Sequence, residues 1–319
     1  MAPVLSFMKK VVSGELGYAM ATPWIPGANG VGVIESVADD VIGLRPGDHV
    51  FIDPHIYTHS TTDAYDGILL GLTGLSPLSG SLQQRWRNGT FAEKCVVPAE
   101  CLTLLPDKSF EPAMLAWLSF AAVAYGGLLR GALRPGQTLI VSGATGNIGS
   151  CAVLIGLAMG AGRIIAVGRE REVLAQLRSV NPDRVEPVEL QGDLERDKRA
   201  IAAAAKGADL VYDMVGNAPT FAPTAAAIHA LRRGGTAVLM GGVQAAVDLA
   251  YSHIMLNEIS IKGALMYPRC APAELMSMVA AGVLPLSQID IRIFPLEQVS
   301  GALDHAERSR GLSYSMLKP

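Results

Sequence analysis

Charged and aromatic side chains are scarce in this sequence: 17% of its 319 residues are charged and 6% aromatic, while half are hydrophobic. Such an apolar chain is not a disordered one. With a net charge of −3 and an isoelectric point near 6.1 it has no basic cluster and no interleaved aromatics, which argues against nucleic acid or an anionic membrane as partner. A small molecule is the expected partner. Long apolar runs are also missing: stretches such as Leu139 to Gly143 and Ile164 to Gly168 are broken by glycine, proline or charge before the ~18 to 20 residues of a membrane span. Met1 to Lys10 lacks the basic and apolar regions of a signal peptide, so a cytoplasmic location is expected. None of the four cysteines, Cys95, Cys101, Cys151 and Cys270, has a partner at the spacing of a metal knuckle. They read as small apolar residues rather than disulfides. No repeat or low-complexity segment stands out beyond the short run Ala202 to Ala205.

What is present has two textures. Residues 27 to 105 are rich in Gly, Val and Pro, with short alternating runs at Val31 to Val37, His49 to Ile52 and Phe91 to Val97 between turn signals, which predicts antiparallel strands. From 112 to 130 an Ala/Leu/Tyr helical pattern begins a series in which strands and helices alternate. Strands are expected at Thr138 to Val141, Arg163 to Val167, Leu210 to Val215, Thr236 to Met240 and Ile259 to Lys262; helices at Asn147 to Gly160, Glu170 to Ser179 and Pro219 to Leu231. That alternation predicts a doubly wound parallel sheet. A helix at Pro272 to Ala281 and a strand-ended tail from Pro295 to Leu317 follow, too short for a third domain. The tail is expected to return to the first domain.

The sharpest motif runs from Val141 to Gly149 and contains Ala144-x-Gly146-x-x-Gly149, a dinucleotide fingerprint with alanine in the first place. A tight turn, backbone N–H groups within reach of a pyrophosphate, and close packing of helix on strand all require little bulk here. Ala144, Thr145, Gly146, Asn147, Ile148 and Gly149 are therefore candidate cofactor contacts. The next strand ends in Gly168 and Arg169, where an Asp or Glu would hold the ribose of NAD. Glycine makes room and arginine offers a guanidinium for a 2′-phosphate, so NADP is expected over NAD. Two later strand ends, with Val215 and Gly216, and with Gly241, Gly242 and Val243, are expected along the same crevice.

With these residues the chain resembles the medium-chain dehydrogenase/reductase superfamily along nearly its whole length. Ile25 to Glu35 resembles that family's PGHEGVGVV segment, Leu44 to Val50 its GDRV turn, Asn88 to Val97 its GGxAEY strand, and Pro295 to Ala302 its PLEEIxxAL helix. The resemblance implies an α/β fold, with a Rossmann doubly wound parallel sheet at 114–263 inserted into a GroES-like antiparallel β-barrel catalytic domain made of 1–113 and 264–319. Zinc-dependent members carry His-Glu where this chain has Ala28-Asn29, and no cysteine lies near Ser119 to Val123 or between His55 and Arg87. A zinc-free enzyme is expected. The family also has about 40 residues ahead of the segment matching Phe7 to Gly30, by analogy of fold. Here there are almost none, so either the front is shortened or another element covers the exposed sheet edges.

Zinc-free relatives reduce activated double bonds, as in quinones, enones and enoyl thioesters, and an NADPH-dependent reductase of that kind is the leading expectation. A zinc-free alcohol dehydrogenase and a non-catalytic NADP-binding protein are the alternatives. Tyr125, in a helix similar to one near the nicotinamide in the family, is a candidate proton donor or a core aromatic; Tyr18, Tyr57 and Tyr65 could border the cleft. His55 and His59, four apart with Asp53 nearby, invite a metal, but Pro54 discourages the helix that would bring them together, so no metal is expected. Residues 57 to 87 read as a long loop, a lid or a replacement for the zinc lobe. Ile259 to Gly263 should be an apolar edge strand that pairs across a two-fold axis in a homodimer.

Overall fold

The computed structural model describes residues 1–58, 67–76, 79–105 and 111–319. Two compact units are present: Phe120–Ile289 with Arg310–Leu312, and Met1–Ser119 with Asp290–Ser309 and Ser313–Pro319. The division falls inside helix α1 (Pro112–Arg130). In this division residues 264–289 group with the nucleotide unit. Their helix is tied there by Glu274, which accepts the Tyr125 hydroxyl at 2.7 Å, and by the buried Leu275, Met276 and Val279. The tail does return to the first unit, apart from residues 310–312.

The nucleotide unit holds β1 (Thr138–Ser142), α2 (Asn147–Ala158), β2 (Arg163–Gly168), α3 (Arg171–Val180), β3 (Val185–Glu189), α4 (Leu194–Ala205), β4 (Ala208–Asp213), α5 (Ala222–His229), β5 (Leu231–Leu239), α6 (Tyr251–Leu256), β6 (Ser260–Gly263) and α7 (Ala271–Ala280). The strands form one parallel sheet in the order β3-β2-β1-β4-β5-β6. Their apolar runs bury both faces: on one, Ile140, Ile165, Val167, Val211 and Ala237 pack with Ile201 of α4 and Ala226 and Ile228 of α5, and on the other Leu139, Val141, Ile164 and Leu210 are buried as well. The chain winds from β1 toward β3, then restarts at β4 on the other side of β1. This reversal opens a crevice at the carboxyl ends of β1 and β4, the place where such sheets bind ligands.

The sequence pattern missed β3, and of α4 it anticipated only a helix at the alanine run Ala202 to Ala205. Pro187 interrupts β3, which tolerates it because it is an edge strand. Helix α4 starts from an Asp193 cap that accepts the Arg196 N–H at 2.8 Å. Nor did the pattern anticipate that α1 is long and apolar enough, by length and composition, to cross a membrane. In this protein 78% of its most apolar window is buried, as in a core helix.

The other unit contains three small sheets. Gly30–Val33, His49–Ile52 and Leu102–Leu104 are antiparallel, as are His55–Tyr57, Gly67–Leu69 and Thr73–Gly74; Ala2–Val4 runs antiparallel to Ser313–Lys318, which pairs in parallel with Asp290–Pro295. These short sheets are consistent with the expected GroES-like domain. Phe91 to Val97 is not a strand. Its start is drawn into a loop contact, the N–H groups of Gly89, Thr90 and Phe91 donating to Ile25, Gly27 and Pro26 at 2.8 to 2.9 Å. Alternation without a paired neighbour does not make a strand. Conversely, the expected long loop folds where it is described: two strands and the helix Gly80–Arg85 close over Ile56, Ile68, Leu70 and Cys101, with Leu82 and Trp86 against them.

Candidate cofactor site

The end of β1 turns sharply at Gly143, whose φ of +80° is in the left-handed region that favours glycine. Ala144 then donates its N–H to Val167 of β2 at 2.9 Å, and its carbonyl accepts the Ser150 hydroxyl at 2.7 Å. Helix α2 opens at Gly146, an extended residue that offers no side chain to the first-turn N–H groups. Those groups and the positive end of the helix suit an anion. A Cβ at Gly149 would overlap the Gly143 carbonyl, so the third glycine is what lets α2 lie on the turn. The residues 144–149 are thus brought together in one tight strand-to-helix turn.

Sequence reasoning missed one contributor. Gly311 donates its N–H to Thr145 at 2.9 Å and accepts from the Asn147 carboxamide at 3.2 Å, so residues 310–312 lie on the fingerprint loop. A C-terminal segment more than 160 residues from the motif carries no local signal of that placement.

At the end of β2, Gly168 is buried and Arg169 is exposed, with no hydrogen bond or ion pair among the described residues. The space at Gly168 belongs to a neighbour, because a Cβ there would collide with the Thr145 side chain. The later loops also converge. Gly242 donates to the Val215 carbonyl at 2.9 Å, and a Cβ at Gly241 would collide with the same carbonyl. Gly216 and Gly242 are exposed at this edge, beside Val215 and Val243.

Beneath these loops Asp213, the last residue of β4, is 2% exposed. Burial pushes its carboxyl up to about 6, against the hydrogen bond from Thr224, which favours the ionised form. Thr224 donates to it at 2.8 Å.

Tyr125 is buried and its hydroxyl donates to Glu274. Burial first, then that carboxylate, hold it well above the ordinary tyrosine range, which makes it a poor acid and favours the core-aromatic reading. In the other unit Tyr18 packs edge-on against Phe7 and Tyr57 stacks on His55. Tyr65 and His59 lie outside the described residues. Asp53 and His55 form a buried pair, with His55 Nδ1 2.5 Å from the carboxylate, and no group of three metal-ligating side chains occurs among the described residues. The zinc of related enzymes does not fit the equivalent positions. Ala28 has no donor, the Asn29 amide is engaged with the Ile52 carbonyl at 3.3 Å, and Ser119 offers a buried hydroxyl instead of a thiolate.

Comparison with known proteins agrees with this architecture. The family model of the alcohol dehydrogenase GroES-like domain matches residues 6–107, and that of zinc-binding dehydrogenase matches 147–281. An alcohol dehydrogenase of Geobacillus stearothermophilus is 27% identical over 292 residues, covering 90% of this chain and 80% of the relative. A sorbitol dehydrogenase of Rattus norvegicus is 26% identical, covering 94% and 81%. Among solved structures, the alcohol dehydrogenase TADH from Thermus sp. ATN1 superposes with a TM-score of 0.81 at 22% identity, covering 99% of this chain and 90% of that one. A zinc-binding dehydrogenase from Sinorhizobium meliloti 1021 bound to NADP gives 0.81 at 18% identity, covering 100% and 90%. With its Rossmann-type sheet, its GroES-like sheets and its fingerprint loop in this order, the chain belongs to the medium-chain dehydrogenase/reductase superfamily and is an alcohol dehydrogenase-like oxidoreductase.

Proposed function

We propose that this protein is a zinc-free, NADPH-dependent oxidoreductase that delivers hydride to an activated C=C bond or a quinone. The observation that carries the cofactor choice is Arg169: an exposed guanidinium without a partner among the described residues at the end of β2, where an acidic residue would repel a 2′-phosphate. The first-turn N–H groups of α2 that follow Gly146 would hold the pyrophosphate, since those of Ala144 and Gly146 donate to Val167 and Gly143, and the backbone at Val215, Gly216, Gly241, Gly242 and Val243 would flank the nicotinamide. When bound, the cofactor supplies the hydride and the protein supplies position. Ala28 and Asn29 support a reaction without a Lewis-acid metal, which suits an acceptor already polarised by conjugation. Solvent delivers the proton, since the Tyr125 hydroxyl is committed to Glu274.

The strand β6 and its rim support a homodimer. Ser260, Ile261 and Gly263 are exposed on the sheet edge, and Leu256 and Leu265 beside them are 66% and 68% exposed. A cytoplasmic location accords with the small-molecule chemistry.

The names of the relatives favour a second reading, a zinc-free alcohol dehydrogenase working on an alcohol/carbonyl pair. One experiment separates the two: purified protein, assayed in chelator and checked for metal by elemental analysis, is given NADPH with enones and quinones, and NADP⁺ with alcohols. Turnover of the first set alone supports the proposal and turnover of the second alone replaces it. A protein that binds NADPH yet turns over neither is a non-catalytic binder, and one equivalent of bound zinc overturns the metal-free reading.

A further inference from the structure

Residues 310–312 group with the nucleotide unit, although the residues on either side of them do not. The fingerprint loop is what holds them there. The Gly311 N–H donates to the Thr145 carbonyl at 2.9 Å, and the Gly311 carbonyl accepts from the Asn147 carboxamide at 3.2 Å, so both polar groups of one glycine face the same turn. All three residues are buried. Glycine suits this place twice over: φ is +63°, and a Cβ would come within 2.8 Å of the Val173 side chain on α3. Thr145 is held from its other side as well, because its side chain fills the space at Gly168. Before it, the Ala144 carbonyl accepts the Ser150 hydroxyl at 2.7 Å. Asn147 is the first residue of α2, a place where a short polar side chain commonly bonds the backbone beside it. Its amide nitrogen reaches a segment 164 residues away, while the Gly146 cap offers the first-turn N–H groups no side chain.

On the reading that this edge binds NADPH, we propose that Asn147 is a positioning residue: its bond to Gly311 straps residues 310–312 across the fingerprint loop and holds the first turn of α2 ready for the pyrophosphate. It does so without touching the cofactor. A loop that is already ordered has less conformational freedom to lose on binding, so cutting the strap lowers affinity although no cofactor contact is removed. The effect falls on the pyrophosphate, which NADPH and NADH share, and leaves the 2′-phosphate end at Arg169 as it was. Asn147 thus sets how tightly either nucleotide is held, and Arg169 which of the two is preferred.

The test is calorimetric affinity of the parent and of Asn147→Ala for NADPH, NADH and 2′-AMP, which carries the 2′-phosphate but no pyrophosphate. Asn147→Ala should bind NADPH and NADH about tenfold more weakly, the upper end for one hydrogen bond. Their ratio should be unchanged, and 2′-AMP should bind as it does to the parent. Equal weakening of all three would mark general damage to the fold, and parent-like affinity for all three an idle contact; either overturns the positioning role. Should Asn147→Ala not fold, hydrogen exchange on the parent decides: saturating NADPH should slow exchange of the Gly311 N–H about tenfold, and 2′-AMP should leave it unchanged. A Gly311 amide that does not respond to NADPH overturns the strap. A parent protein that binds neither dinucleotide sinks the NADPH reading itself, and this inference with it.

Discussion

Thr145 and Gly168 share one space: a side chain at 168 would overlap the Thr145 methyl and lie 2.8 Å from its hydroxyl oxygen. The glycine that seemed to make room for a 2′-phosphate makes room for the fingerprint loop. Gly168→Ala should therefore cost about 1 to 3 kcal/mol of stability by overpacking. Chemical denaturation of that variant, of Thr145→Ala and of the double variant forms a cycle in which the second substitution recovers most of the loss. Additive costs would show that the two residues are not competing for the site.

Arg169 has no hydrogen bond or ion pair among the described residues, so its removal tests the nucleotide preference with little folding penalty. A charge-assisted contact is worth about 1.5 to 3 kcal/mol. NADPH should bind at least tenfold more tightly than NADH to the parent, and Arg169→Ala should bring the two affinities together. Equal affinities in the parent protein remove the basis of the NADP assignment.

Asp213 predicts a stability profile of unusual sign. Its carboxyl titrates at about 6 in the folded protein against an ordinary 3.8. Between those values the unfolded chain has released the proton and the folded chain has kept it, so stability falls as pH rises and the full cost, about 3 kcal/mol, stands above pH 6. Urea unfolding of the parent relative to Asp213→Asn should show this loss from pH 4 to 6.5. Parallel pH profiles would place the carboxyl at its ordinary value.

Removing the Tyr125 hydroxyl breaks one hydrogen bond, to a Glu274 that is itself exposed. Tyr125→Phe should lower stability by about 1 kcal/mol or less and leave kcat within about threefold, since loss of a general acid costs a hundredfold or more. A hundredfold fall in kcat with an altered pH profile would return Tyr125 to the proton-donor role.

The apolar rim of β6 gives the assembly test. Leu256→Glu and Leu265→Glu place charge on side chains already exposed in one subunit, so each should leave the fold intact and convert a dimer to a monomer in light scattering at micromolar concentration. A parent protein that is monomeric and soluble at that concentration ends the proposal.

The parallel sheet, the fingerprint turn and the edge position of β6 were legible in the sequence because each depends on neighbours a few residues apart. An apolar run makes a buried strand, Gly146 opens a helix, and a chain that alternates strand and helix winds a sheet in a known direction. Long-range pairing set the rest. Phe91 to Val97 has the alternation of a strand without a ladder, whereas Val185–Glu189 is paired despite Pro187 because it stands at an edge. Gly311 on the fingerprint loop, Tyr125 on Glu274 and Thr145 in the space at Gly168 join residues separated by 23 to more than 160 positions. Side chains so far apart meet through the packing of whole elements, and no local pattern encodes which of them will share a cavity.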